Sequence, residues 1–124
     1  MRPWLIAAGL AGAFGVAFGA YAAHGFAPGS YESEIAAKAS HYALWHALAL
    51  LAVDRLAAGG QRLAHLSGLL FLAGILLFSG SLALKALTGE LAWPMITPTG
   101  GFALIGGWIV LVVMGIGGRR KTKF

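Results

Sequence analysis

No cysteine occurs among the 124 residues, which excludes disulfides, thiolate nucleophiles, cysteine-ligated zinc and iron–sulfur clusters within this chain. Charge is scarce too: charged residues make up 10% of the sequence, and only four of them are acids. Soluble domains carry about 25% charged residues, so too little polar sequence is present to cover a water-facing surface. The catalytic signatures are missing as well. No Gly-x₄-Gly-Lys-Ser/Thr string marks a phosphate loop. No Ser-His-Asp set is evident, since Asp54 falls at one end of its segment and His46 in the middle.

What fills the chain is hydrocarbon. Apolar residues account for 59% of it, gathered into four stretches at about residues 4–23, 39–57, 63–87 and 100–117. A bilayer core about 30 Å thick needs ~20 apolar residues at a helical rise of 1.5 Å each, and each stretch comes close. The expected fold is an all-α, four-helix transmembrane bundle, one integral membrane domain over residues 1–124.

The basic residues orient it. If all four segments cross, both termini and the middle loop share one side, which collects Arg2, Arg55, Arg62, Arg119, Arg120, Lys121 and Lys123. The other side holds Lys38 and Lys85 with three of the four acids, Glu32, Glu34 and Glu90. The positive-inside rule then places both termini in the cytoplasm. The net charge of +5 reports orientation and contact with anionic headgroups, not nucleic-acid affinity. Arg2, the apolar run and Ala20-Tyr21-Ala22 resemble a signal peptide, but the run exceeds the usual h-region of about 7–15 residues. Retention of this helix is expected.

Glycine is the main packing device. Ala11, Gly15, Gly19 and Ala23 recur every fourth position, with Ala8 and Gly12 beside them. Between lipid-solvated helices, small side chains permit the close backbone approach that drives association. Gly12, Gly15, Gly19, Gly74, Gly80, Gly100 and Gly101 are the expected packing glycines, with contact inside the bundle favoured over a homodimer seam. Pro28-Gly29-Ser30 signals a turn with Ser30 as N-cap, so the second helix should begin near Tyr31 and enter the membrane around Lys38. Glu34 and Lys38 stand at ion-pair spacing. Gly59-Gly60 and Thr88-Gly89 mark helix ends, Trp93-Pro94 and Thr97-Pro98 an outer loop, and Lys85 should pair with Glu90. No internal repeat relates the two halves.

Ionisable residues within a membrane are costly and therefore functional candidates. His46 lies mid-segment, with Tyr42 one turn earlier on the same face. His41 sits about 140° around the helix from His46, so the two do not form one ligand pair. His24 closes the first segment, and His65 opens the third. His24, His46 and Tyr42 form the candidate polar site, able in principle to take a small ligand or metal or to relay protons. The alternative is that His46 bonds a neighbouring helix through Ser79, Ser81, Tyr42 or a freed carbonyl. Such interhelical bonds contribute about 0.6 kcal/mol on average. No catalytic residue, resident metal or cofactor is expected.

Four strings in order carry a resemblance. They are Gly19-Ala20-x-x-Ala23-His24-Gly25, Tyr42-x-x-x-His46-Ala47-Leu48-Ala49-Leu50-Leu51, the run from Phe71 to Leu82 with Leu87-Thr88-Gly89, and Thr97-Pro98-x-Gly100-Gly101 before Gly107-Trp108. Together they resemble the domain-of-unknown-function family 423 of small, transmembrane protein 256-like membrane proteins. The resemblance implies four spans and singles out His24 and His46, but implies no activity. Ala43 stands where the family commonly has glutamine, Lys85 where it is usually uncharged, and His41 lies outside the pattern. The expected role is a non-enzymatic structural or accessory subunit of a bacterial inner membrane. Its partners would be the lipid bilayer and a homo-oligomer or larger membrane complex, with no nucleic acid.

Overall fold

The computed structural model describes residues 1–91 and 93–117, so the basic tail at Arg119, Arg120, Lys121 and Lys123 lies outside the described residues. Four helices succeed one another: α1 at Pro3–Gly25, α2 at Tyr31–Ala58, α3 at Leu63–Thr88 and α4 at Ile96–Gly117. Helices α1, α3 and α4 are each long and apolar enough to cross a membrane. Helix α2 is longer still at 28 residues, about 42 Å, and carries its charges (Glu32, Glu34, Lys38, Asp54 and Arg55) toward its ends.

The helix ends obey local chemistry. Ser30 caps α2, its hydroxyl accepting from the Ser33 amide at 3.1 Å, and Gly29 takes the left-handed turn before it at φ 77°. Gly89, at φ 83°, closes α3, a conformation that costs glycine nothing. Helix α4 starts earlier than the apolar run, taking Thr97 and Pro98 into its first turn instead of leaving them in a loop. Proline fits there because amides of the first turn have no intrahelical acceptor to lose. Two expected ion pairs are also absent among the described residues. Lys85 rests its ammonium 5.2 Å from the Tyr31 ring rather than on Glu90, and the sole ion pair among the described residues joins Arg2 to Asp54.

Helices α2 and α3 hold the middle, with α1 antiparallel against α2 and α4 antiparallel against α3. One hydrophobic cluster, including Trp4, Leu50, Phe71, Leu104 and Met114, draws on all four helices. A second, with Phe18, Ile35, Ala39 and Leu82, fills the opposite end. Glycine sets the approach distances. A Cβ on Gly15 would meet Leu44 at 2.6 Å, and one on Gly19 would meet Ser40 Oγ at 2.6 Å. A Cβ on Gly74 would collide with Leu104, and one on Gly100 with the backbone of Phe78. Gly12 and Gly101 make ordinary contacts with Ala47 and Phe78, whereas Gly80 meets nothing within 4 Å. Opposite Gly100, residues Ile75–Ser79 widen into a π-helical turn.

Candidate functional site

His46 is the most deeply placed ionisable residue of the middle, 5% exposed. Its Nδ1 lies 2.7 Å from the carbonyl oxygen of Tyr42, one turn back, and its Nε2 lies 3.0 Å from Nε1 of Trp108 on α4. A carbonyl only accepts and an indole N–H only donates, so the ring is neutral with its proton on Nδ1. Both nitrogens are thereby spent. Phe71 of α3 fills the corner, its ring centroid 5.5 Å from His46 and 5.1 Å from Trp108. Gly107 opens the notch for it, since a Cβ there would come within 2.6 Å of the Phe71 ring. The Tyr42 ring stacks on the imidazole at 6.1 Å.

The other histidines do not join this group. His24 is exposed at the end of α1. Gly19 faces Ser40 and Gly12 faces Ala47, a register that puts His24 level with residue 35. That is eleven residues, about 16 Å along the axis, from His46. His41 is exposed and stacks on Trp45 at 5.9 Å. His65 accepts at Nδ1 from Nε1 of Trp4 at 3.0 Å. Among the described residues no group of three His, Asp or Glu side chains is placed to hold a metal ion.

Several other polar groups are spent in the same manner. Ser40 donates to the Gly15 carbonyl at 2.7 Å, Ser67 to the Gly107 carbonyl at 3.0 Å, and Ser81 shares a 2.5 Å bond with Thr97. Arg2 binds the buried Asp54 carboxylate across the base of α1 and α2. Ser79, weighed from the sequence as a partner for His46, is buried with no partner for its hydroxyl among the described residues. No direct sign of the Trp108–His46 or Trp4–His65 bonds stands in the sequence, nor of Gly107 as the notch for Phe71. The one available signal is depth, because Trp108 lies further into its segment than interfacial tryptophans do.

Residues 18–101 match a family model described as Protein of unknown function (DUF423). A UPF0382 membrane protein of Haemophilus influenzae is 39% identical over 97% of this chain and 95% of its own length. The UPF0382 inner membrane protein YgdD of Escherichia coli is 34% identical over 97% and 94%. The UPF0382 membrane protein SAB0533 of Staphylococcus aureus is 34% identical over 91% and 94%. No solved structure matches the chain.

Proposed function

The chain belongs to the DUF423 family of UPF0382 membrane proteins, and on that footing we propose that it is a small non-enzymatic structural or accessory subunit. All four helices cross a bacterial inner membrane, α2 as the fourth span, with both termini cytoplasmic. The location draws support from the name of the Escherichia coli relative. The orientation draws support from Arg2, Arg55 and Arg62 at one pole against Lys38 and Lys85 at the other.

The observation that carries the role is the fully engaged imidazole of His46. A metal needs a free lone pair, a quinone oxygen needs a free N–H, and a proton relay needs a free proton acceptor; His46 spends both nitrogens inside the bundle. The Ser40 and Ser67 hydroxyls and the Arg2–Asp54 pair are likewise used between helices. Such an inventory holds a scaffold in one shape. The partner of that scaffold is a second copy or a larger membrane complex.

Wild type and His46→Gln, purified side by side in mild detergent, test the reading by native mass spectrometry and absorption spectroscopy. The expected outcome is a defined oligomer or copurifying subunit in both, with neither chromophore nor metal. A bound species present in wild type and lost in the variant would overturn it.

A further inference from the structure

Helices α1 and α3 run parallel and meet near their N-terminal ends, where Trp4 lies across Gly68. A Cβ on that glycine would come within 2.8 Å of the indole. Beyond this contact the helices part, and a groove of about 620 Å³ opens between them. Its walls are Ile6, Leu10 and Phe14 from α1 and Leu76 from α3, and its floor lies open at Gly80. The volume falls within the range of ligand sites, roughly 300–1,000 Å³, and the walls offer hydrocarbon throughout. A groove of this kind facing a bilayer is filled by hydrocarbon, because empty space forfeits dispersion contact along its whole lining.

Length and charge narrow the occupant. From Pro3 to Phe14 the α1 wall rises about 16 Å, half of a hydrocarbon core about 30 Å thick. That is the depth of one leaflet. Met1 and Pro3 line the end of the groove at the base of α1, and Arg2, between them in sequence, has a side chain 54% exposed. One guanidinium nitrogen holds Asp54, which leaves further N–H donors for a phosphate oxygen. At this pole three described arginines, Arg2, Arg55 and Arg62, face one aspartate that is already paired. The local balance is positive.

We propose that the α1–α3 groove binds one phospholipid of net negative charge, an acyl chain lying from Pro3 to Gly80 and its phosphate on Arg2. The inference rests on α1 and α3 crossing the membrane and is independent of the accessory role.

Delipidated protein titrated with phosphatidylglycerol or phosphatidylcholine, and read by native mass spectrometry, tests it. Wild type should retain a single phosphatidylglycerol with a preference of about fivefold, the weight of one arginine on an anionic headgroup. Gly80→Leu adds a side chain where nothing lies within 4 Å, so it should fill the groove, keep the melting temperature and lose the lipid. Gly115→Leu, equally unobstructed but on α4, should keep it. Leu10→Trp blocks the groove from the other wall and serves if Gly80→Leu does not fold. Arg2→Gln should keep a bound chain and lose the preference. Equal retention in wild type and both groove variants would overturn the proposal. So would equal retention of the two lipids by wild type, or a dimer that Gly80→Leu dissociates.

Discussion

Replacing Trp108 by phenylalanine isolates the bond on which the mid-membrane architecture turns. The phenyl ring keeps the edge-on contact with Phe71, now 5.1 Å between centroids, so little apolar burial is lost. What disappears is the N–H that reaches His46 Nε2 at 3.0 Å. The imidazole is 5% exposed, and no water in the hydrocarbon takes the donor's place. An unsatisfied buried acceptor costs about 1–3 kcal/mol, whereas measured interhelical bonds in membranes average about 0.6 and reach about 1.7. Trp108→Phe should therefore cost about 1–2 kcal/mol. His46→Leu should cost a similar amount, and the double variant less than the sum by about 0.6–1.7 kcal/mol. Reversible unfolding of the four proteins in mixed detergent–SDS micelles gives the cycle. Additivity within about 0.3 kcal/mol would refute the bond and, with it, the assignment of His46 to helix bracing.

Trp4→Phe removes the equivalent donor to His65, but His65 is exposed and can find water at the interface; the same assay should read about 0.5 kcal/mol. Gly100→Ala drives a methyl into the backbone of Phe78, which cannot yield as a side chain does, and should cost about 1–3 kcal/mol. Gly115→Ala, with open space around it, should leave the unfolding midpoint unchanged. The absence of native cysteine makes accessibility labelling clean. A membrane-impermeant thiol reagent added to intact cells should modify Ala27→Cys and spare Gln61→Cys, and the reverse would invert the orientation.

The helices were legible because each is a long apolar run closed by turn chemistry, as at Pro28-Gly29-Ser30 and Thr88-Gly89. Gly15, Gly19, Gly74 and Gly100 were also legible as contact points, since in lipid a missing side chain is itself an attractive feature. Partner identity was not. Periodicity places His46 on a face and at a depth, but which donor reaches it depends on how far apart α2 and α4 stand. Phe71 of α3, seated in the Gly107 notch, lies against both the His46 and the Trp108 rings. Gly80 shows the converse: it stands in a small-residue string beside Ser79 and Ser81, directly after the π-helical turn, yet borders open space. His24 and His46 are both singled out by the family resemblance, and only the register of α1 on α2 reveals how far apart they lie.

The polar bonds divide into two kinds. Ser40 to Gly15 ties α1 to α2, and Ser67 to Gly107 ties α3 to α4, so each closes one hairpin on itself. The two tryptophan–histidine bonds instead join α1 to α3 and α2 to α4, linking one hairpin to the other. The chain is thus divisible at the loop between its halves. Residues 1–60 and 61–124, made as separate polypeptides in one membrane, should each form a closed hairpin and then find one another, with Trp4 and Trp108 acting as the latches.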